Sequence, residues 1–327
     1  MKKTLLVSIL LISSIGFLLF LQDKSTSVPQ QTPLKIGINV WPGYAHAFVA
    51  QEKGFFEKHG ATVELVLKSE NSEVNQLYKK GELDGLFTVF TDIIMLNYDG
   101  IPIPTKAVYI ADYSDTGDVI VGRSEFNSVK ELKNKTISFE GVGTFSQMLV
   151  VSLLQKSGIR EGEFRTVNLQ AHDVLEALES GKIDAGHTWE PTVSQLVKKG
   201  YKVLGKAGDI PGIIADVLAF HTDVIKKRPQ EVKGVVKAML EAKEFLNSNP
   251  EEALTIMAKA ENMSKVEMKA GVDGVRFLNQ QENWDAMQQR QGTLYKSGQK
   301  SANFYLRNGQ LLQAPDFKTI INPQFIQ

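Results

Sequence analysis

Two similar α/β lobes around a ligand cleft are predicted for this chain. Its 327 residues are enough for one large or two medium domains, and its 43% apolar and 23% charged residues are close to the average of globular proteins. Strand-like apolar runs alternate with helical runs, which is typical of mostly parallel sheets that are covered on both faces. One helix–glycine–strand pattern also recurs 100 residues later, from Gly81 to Gly181, which indicates that the lobes have a similar build.

The N-terminal segment is predicted to be an address rather than a part of the fold. Two lysines precede an uncharged apolar run, Thr4 to Gln22, which would rise about 28 Å as a helix and so nearly span a bilayer. The lysines are expected to stay in the cytoplasm, which places the rest of the chain on the periplasmic or extracellular side of the membrane. Since only Ser25-Thr26-Ser27 approaches a small-x-small cleavage site, residues 1–27 are either a cleaved signal peptide or a retained membrane anchor. Residues 28–33 are interpreted as a polar tether.

In the first part of the fold, strands and helices alternate from Leu34 onwards. The first strand ends at Trp41-Pro42-Gly43-Tyr44, because proline and glycine favour a turn, and a helix follows as far as Gly54. Ser72 is the expected N-cap of the next helix. The predicted strands of this part are 34–40, 63–67, 83–90, 108–110 and 119–122.

The same alternation starts again in the second part of the chain. A strand over 136–139 leads into a glycine-rich turn and a helix from about 146 to 156. Gly81-Glu82-Leu83-Asp84 aligns with Gly181-Lys182-Ile183-Asp184, and both aspartates are interpreted as structural turn residues. From Arg228 onwards the chain is predicted to be mainly helical, because its apolar residues recur at helical spacing.

Composition excludes several kinds of function. Lys and Arg together number 37, as do Asp and Glu, so a basic surface for nucleic acid is not expected. The chain has no cysteine, which excludes disulfides, thiolate nucleophiles and cysteine-bound metal centres. Its five histidines are scattered without a metal-ligand spacing, so neither a metal nor a cofactor is expected.

Ligand contacts are expected where strands end, because ligands of open α/β sheets bind at the carboxyl ends of the strands. Two of the three tryptophans lie at such ends, one in each lobe, and would form flat walls for a small ligand. Hydroxyl groups and helix-start amides would hold its polar groups. The candidate residues in chain order are Trp41, Tyr44, His46, Thr88, Thr91, Asp92, Gly143, Thr144, Phe145, His187, Trp189, Glu190 and Asp216.

Some of these candidates also have a simpler structural interpretation. Glu190 is consistent with a helix-entry carboxylate that the helix dipole favours, although its place after Trp189 at a strand end favours a ligand contact. Asp92, Asp112 and Asp216 are better explained as caps or hinge hydrogen bonds than as ligand contacts. Asp216 is the best of the three acidic residues as a partner for an amine.

Three segments carry a resemblance to a known family. Ile36-Gly37-Ile38-Asn39-Val40-Trp41-Pro42-Gly43-Tyr44, followed by Ala50-Gln51-Glu52-Lys53-Gly54-Phe55-Phe56, resembles the start of the nitrate/sulfonate/taurine group of ABC-importer solute-binding proteins. That group includes the SsuA/THI5-like (NMT1-like) binders. Ile183 to Pro191 is similar to its second-lobe signature, and Asn303 to Phe325 is similar to its C-terminal end.

The resemblance implies a type II periplasmic-binding-protein fold, in which two lobes close on a ligand like a hinge. Lobe I would comprise 34–112 and 217–327, and lobe II would comprise 113–216. The resemblance further implies a monomer without catalytic residues, which captures a small polar organic solute and delivers it to the permease subunit of an ABC importer.

Two other functions remain as alternatives. If the apolar N-terminal run stays in the membrane, the lobe pair would be a membrane-anchored, ligand-binding sensor subunit. The enzyme alternative is the THI5-like pyrimidine synthase, for which similarity implies a pyridoxal-phosphate lysine, a donor histidine and a cysteine-rich iron site. The lack of cysteine and the export signal argue against that enzyme.

The sequence narrows the solute less than it narrows the fold. Acidic groups at the strand ends favour a ligand with N–H donors, because a buried carboxylate must be paired. The aromatic walls would suit a planar ring. Aminopyrimidine thiamine precursors, taurine and alkylsulfonates are therefore the candidate solutes, and an aminopyrimidine or an aminosulfonate ranks ahead of nitrate.

Overall fold

A computed structural model describes residues 32–288 and 291–327 and arranges their strands in two sheets. The first sheet has six strands in the order β11-β4-β10-β3-β1-β2, and the second has five in the order β7-β6-β8-β5-β9. The strands are β1 (Leu34–Asn39), β2 (Val63–Lys68), β3 (Gly85–Val89), β4 (Thr105–Ser114), β5 (Val119–Gly122), β6 (Thr136–Phe139), β7 (Arg165–Asn168), β8 (Ala185–Thr188), β9 (Lys202–Lys206), β10 (Ala215–His221) and β11 (Val275–Phe277).

Helices cover the sheets and make up most of the C-terminal part, as the sequence predicts. Three short 3-10 turns precede that part, and a fourth lies close to its end. The helices are α1 (His46–Glu52), α2 (Phe55–Lys58), α3 (Asn71–Lys79), α4 (Phe90–Tyr98), α5 (Phe145–Lys156), α6 (Val174–Glu179), α7 (Thr192–Lys198), α8 (Thr222–Lys227), α9 (Pro229–Ser248), α10 (Pro250–Ala260), α11 (Lys265–Asp273), α12 (Gln280–Ala286), α13 (Thr293–Arg307) and α14 (Phe317–Ile320).

The two sheets share one topology. In the first, β1 is parallel to β2 and β3, and β10 is antiparallel to β3. In the second, β6 is parallel to β7 and β8, and β5 is antiparallel to β8. The turn aspartates repeat as well, because Asp84 Oδ2 accepts the Lys35 amide at 2.9 Å and Asp184 Oδ2 accepts the Thr136 amide at 2.8 Å. The repeat in the sequence therefore corresponds to a repeat in the structure.

Two connections join the sheets. The chain leaves the first sheet at the end of β4, enters the second at β5, and returns between β9 and β10. Because β4 and β10 are antiparallel neighbours, both connections lie side by side. The division into lobes at 112/113 and 216/217 stays a prediction.

Local details differ from the sequence predictions. The N-cap of α3 is Glu70 rather than Ser72, because the Glu73 carboxylate accepts the Glu70 amide at 3.1 Å and closes a capping box. Strand β4 is longer than predicted, since it pairs with β10 along its length and with β11 at its end. In the described ranges no helix is long and apolar enough to span a membrane. The predicted signal or anchor, residues 1–27, lies outside those ranges.

Candidate functional site

A small cavity of about 20 Å³ lies at the ends of strands from both sheets. Five of the thirteen candidate residues line it, namely two residues of the turn after β1, the first residue of α5, the residue after β8, and an aspartate of β10. The complete lining is Asn39, Trp41, Tyr44, Asn71, Val89, Asp118, Phe145, Trp189 and Asp216.

The turn after β1 places Trp41 and Tyr44 at the cavity. Proline follows Trp41, and a Cβ at Gly43 would lie 2.0 Å from Asp112 Oδ2, so only glycine fits there. The Trp41 indole Nε1 donates to Asp112 Oδ2 at 3.2 Å, and the Trp41 amide donates to Glu261 Oε1 at 3.2 Å. Burial raises the pKa of Glu261 to about 8. Buried carboxylates therefore hold this turn on two sides.

Four aromatic rings surround the cavity. The Trp41 and Trp189 rings meet edge to face, with their centroids 6.3 Å apart. Phe145 lies beside Trp189 at 6.2 Å, and Tyr44 lies beside Trp41 at 6.4 Å. Trp189 Nε1 donates to the carbonyl oxygen of Val40 at 3.2 Å, which links the second sheet to the first. The structure thus brings together the two tryptophans that the sequence places at strand ends.

Two carboxylates lie next to each other below the aromatic rings. Asp112 on β4 pairs in register with Asp216 on β10, and both side chains are buried. The Tyr44 hydroxyl donates to Asp216 Oδ1 at 2.5 Å, and the carboxyl groups of Asp112 and Asp216 are hydrogen-bonded to each other, which requires that one of them carries a proton. Burial, strengthened for Asp216 by the neighbouring carboxylate, raises the pKa of Asp112 to about 7 and that of Asp216 well above its usual range.

A third carboxylate, that of Asp118, is held by a chain of hydrogen bonds. The Glu140 amide donates to Ser146 Oγ at 3.1 Å, and Ser146 Oγ lies 2.7 Å from His187 Nδ1. His187 Nε2 lies 3.0 Å from Asp118 Oδ1. Since the amide can only donate, the serine hydroxyl is free to donate to Nδ1, and the Nε2–H then donates to the carboxylate.

Ser146, His187 and Asp118 are connected in the order of a hydrolytic triad, but a solute in the cavity cannot reach the serine. Ser146 is fully buried and does not line the cavity, so its oxygen cannot reach a solute there. The chain instead fixes the orientation of Asp118, which does line the cavity. His187 therefore acts behind the lining rather than in it.

Asp92 and Thr88 also act from behind the lining. Asp92 Oδ2 accepts hydrogen bonds from Asn71 Nδ2 at 2.6 Å, Asn75 Nδ2 at 2.8 Å and Thr88 Oγ1 at 2.9 Å. Three donors leave little capacity for a ligand, and the cluster mainly fixes the Asn71 side chain. Asn39, on the opposite side, keeps its buried Oδ1 without a partner in the described part of the chain.

The remaining candidates lie away from the cavity lining. His46 contacts the Tyr109 hydroxyl at 3.3 Å, and burial lowers its pKa to about 3. Thr91 contacts Ser301 Oγ at 3.0 Å. Glu190 accepts from the Ser194 amide at 3.1 Å and from its hydroxyl at 2.9 Å, which is the geometry of a helix-entry carboxylate.

Gly143 and Thr144 form the start of α5 and likewise do not line the cavity. Gly143 has a φ of 84° and donates its amide to Gln147 Oε1 at 2.8 Å. The Thr144 hydroxyl is the N-cap and accepts the Gln147 amide at 3.3 Å. These contacts position Phe145, the first residue of the helix, against the cavity.

Sequence reasoning missed four lining residues, which are Asn39, Asn71, Val89 and Asp118. Asn39 and Val89 are the last residues of β1 and β3, so the strand-end rule covers them, but neither residue type stands out. Asp118 directly precedes β5, which runs antiparallel to β8. The amino end of an antiparallel strand lies at the same edge as the carboxyl ends of its neighbours, and a search restricted to carboxyl ends passes over it.

A family model described as NMT1/THI5 like matches residues 41–253. The taurine-binding periplasmic protein of Escherichia coli (strain K12) is 25% identical over 238 residues, which are 69% of this chain and 72% of that protein. The 4-amino-5-hydroxymethyl-2-methylpyrimidine phosphate synthase THI13 of Saccharomyces cerevisiae (strain ATCC 204508 / S288c) is 23% identical over 65% of this chain and 66% of its own length.

Solved structures agree on the fold. The periplasmic aliphatic sulphonate binding protein SsuA from Escherichia coli matches with a TM-score of 0.72 at 18% identity, covering 90% of this chain and 93% of that chain. The periplasmic-binding-protein fold that the sequence predicts is thereby confirmed.

Proposed function

The chain belongs to the NMT1/THI5-like family, and from this premise we propose that it is the extracytoplasmic solute-binding receptor of an ABC importer. It captures a small polar organic solute between its two sheets and presents it to a permease in the membrane. The observation that carries this proposal is the cavity at the strand ends, which is lined by aromatic rings and by buried polar groups, of which Asn39 Oδ1 has no partner in the described part of the chain. Such a polar atom is costly unless a ligand pairs it.

Closure of the two sheets on the solute is part of the proposal. Several hydrogen bonds join segments that pack with different sheets. These bonds would break if the two sheets moved apart. The Tyr305 hydroxyl of α13 donates to the Thr144 carbonyl oxygen at 2.8 Å, and His172 Nδ1 is hydrogen-bonded to Glu70 Oε1. Together with the Trp189–Val40 bond they support a closed state that a ligand touching both sides stabilises.

A synthase function is disfavoured by the residues present. The resemblance to THI5-like synthases implies a cysteine-rich iron site, and this chain contains no cysteine. Over the described ranges no group of three or more His, Asp or Glu side chains is placed to hold a metal ion. The receptor is therefore the better-supported function.

The test is a ligand screen on the purified full-length chain, followed by calorimetry on any hit. Taurine, alkylsulfonates, nitrate, aminopyrimidines, thiamine and small amines and amidines would be included. A solute at about 100 times its dissociation constant stabilises the folded state by roughly 2.7 kcal/mol, which gives a shift of several degrees in the melting temperature.

The aromatic walls give the matching variant test. We expect Trp41→Ala and Trp189→Ala to weaken binding of the hit by more than tenfold, because both rings line the cavity. Trp284→Ala is the control, since the third tryptophan does not line it. Normal binding by both cavity variants would remove this cavity as the solute site.

The sensor alternative shares the binding site and differs in the N-terminal segment. We propose that the chain is exported and acts outside the cytoplasm in either case. Intact-mass spectrometry of the exported protein distinguishes the two: loss of about residues 1–27 supports a released receptor, and their retention supports an anchored one.

A further inference from the structure

We propose that the cavity selects a small, flat organic cation with several N–H groups, of the guanidinium or amidinium type, and rejects the sulfonates that its relatives are named for. The inference rests on the receptor function proposed above and narrows its solute class. It follows from the hydrogen-bonding capacity, the charge and the shape of the cavity.

The cavity lining offers hydrogen-bond acceptors. Its donors that carry a single hydrogen, two indole N–H groups and one tyrosine hydroxyl, already donate to other protein atoms. Trp41 Nε1 donates to Asp112, the Tyr44 hydroxyl donates to Asp216, and Trp189 Nε1 donates to the Val40 carbonyl oxygen. By contrast, Asn39 Oδ1 is a buried acceptor without a partner among the described residues, and the carboxyl groups of Asp118 and Asp216 have further lone pairs to offer. A complementary ligand must therefore bring N–H or O–H donors.

Charge points in the same direction. Asp216 and Asp118 line the cavity from opposite sheets, and Asp112 lies directly beside Asp216. No Lys, Arg or His belongs to the lining within the described ranges. A sulfonate in this position would be buried against carboxylates without a counter-charge, whereas a cation would pair with them.

The aromatic rings define the shape of the cation. Trp41, Tyr44, Phe145 and Trp189 present ring faces or edges around the cavity, and a cation near such faces gains cation–π attraction. With a volume of about 20 Å³, room for about one water molecule, the cavity must widen to admit even a small cation, which disfavours bulky solutes. A quaternary ammonium would fit the rings but would leave Asn39 Oδ1 unpaired, so N–H groups are required.

The first experiment is calorimetry on the full-length chain at pH 8 with chloride salts of guanidinium, methylguanidinium and acetamidinium. Tetramethylammonium chloride, taurine and sodium ethanesulfonate are the comparison probes, at matched ionic strength. We expect saturable binding of at least one N–H cation and at least tenfold weaker binding of every comparison probe. Tighter binding of a sulfonate would overturn the cation proposal and leave the receptor function standing. Binding of none of the three N–H cations would also overturn it, and the wider screen would then judge the receptor function separately.

The second experiment assigns the binding to this cavity. Asp216→Asn keeps the shape of the side chain and removes its charge, and we expect it to weaken binding of the N–H cation by at least tenfold. Asp285→Asn, an exposed aspartate on α12, is the matched control and should bind as the parent does. Circular dichroism and the melting temperature check that both variants fold. Unchanged affinity in a folded Asp216→Asn variant would overturn the proposal.

Discussion

Asp112 and Asp216 are two buried carboxylates on neighbouring strands, and such a pair does not ionise independently. The groups that face them are the Trp41 indole, the Tyr44 hydroxyl and the Asp118 carboxylate, and only the first two donate hydrogen bonds. Ionising both carboxylates in the ligand-free protein is therefore unfavourable, and part of the stability of the fold depends on a proton held by the pair.

We predict that Asp112→Asn stabilises the ligand-free protein at pH 8. Burial raises the pKa of Asp112 from 3.8 to about 7, so the stabilisation by its proton is complete below about pH 4 and is lost as the pH rises through about 7. At about 1.4 kcal/mol per pKa unit, the loss is on the order of 4 kcal/mol. Asparagine removes the charge and should raise the melting temperature at pH 8 by several degrees, with little gain at pH 4. An equal effect at both pH values would contradict this account.

At the scale of single residues, the sequence predicts the aromatic residues of the cavity lining better than its polar residues. Trp41, Tyr44, Phe145 and Trp189 could be found because large aromatic residues at strand ends are unusual in solvent-exposed loops. Glu190 was favoured as a ligand contact, yet its carboxylate bonds the next turn of its own helix. Whether a carboxylate points into a cavity or caps a helix depends on side-chain rotamers, which no sequence pattern specifies.

Among the elements, the turn after β1 and helix α11 approach each other closely beside the cavity. A Cβ at Gly271 would lie 2.2 Å from Pro42 Cγ, a distance that real Cβ atoms do not adopt. Pro42 directly follows Trp41, so any displacement of α11 or of the turn moves a wall of the cavity. This glycine is therefore needed for the close approach of two elements.

We predict that Gly271→Ala weakens solute binding by about tenfold or more and lowers the melting temperature. Overpacking a close contact typically costs about 1–3 kcal/mol, because one of the two elements must shift. Gly141→Ala is the control, since its nearest contact would be an ordinary 3.8 Å from Thr144 Cγ2. Thermal unfolding and calorimetry on both variants provide the measurements. Parent-like affinity in the Gly271 variant would show that the turn adapts without moving Trp41.

Most elements could be located from the sequence, and their ends could not. Strands β5 and β6 have the predicted bounds, whereas β4 extends by several residues because it gains β11 as a neighbour late in the chain. Helix α3 begins two residues earlier than predicted, because Glu70 and Glu73 form its capping box. Pairings and caps such as these involve partners that local periodicity does not reveal.

For the molecule as a whole, the shared topology of the two sheets suggests equivalent positions for measuring closure. Gln76 on α3 and Glu176 on α6 are exposed and lie 100 residues apart, at matching places of the repeat. The chain has no cysteine, so Gln76→Cys and Glu176→Cys would carry two spin labels specifically. We predict that saturating solute narrows the distance distribution and shifts it to shorter values. The Trp189→Ala variant should show a smaller shift, and an unchanged distribution in the parent would contradict hinge closure.

Sequence and structure agree well on architecture because the alternation of strands and helices and the turn around Asp84 and Asp184 are local signals that both sheets repeat. The identity of the solute is a different kind of quantity. It depends on which acceptors remain unpaired once the sheets have met, and Asn39 acquires that property only in the folded chain.

The position of the acidic pair has a consequence for the amount of ATP that an importer would use for each solute molecule. Asp112 and Asp216 lie on β4 and β10, beside the two connections between the sheets, so an empty receptor that closes must keep a proton on this pair. A cationic solute would supply a counter-charge and let both groups ionise. A receptor without solute would thus be less prone to adopt the closed conformation that the permease recognises, and the importer would hydrolyse less ATP without transporting solute. The same two side chains would both bind the solute and disfavour closure of the empty receptor.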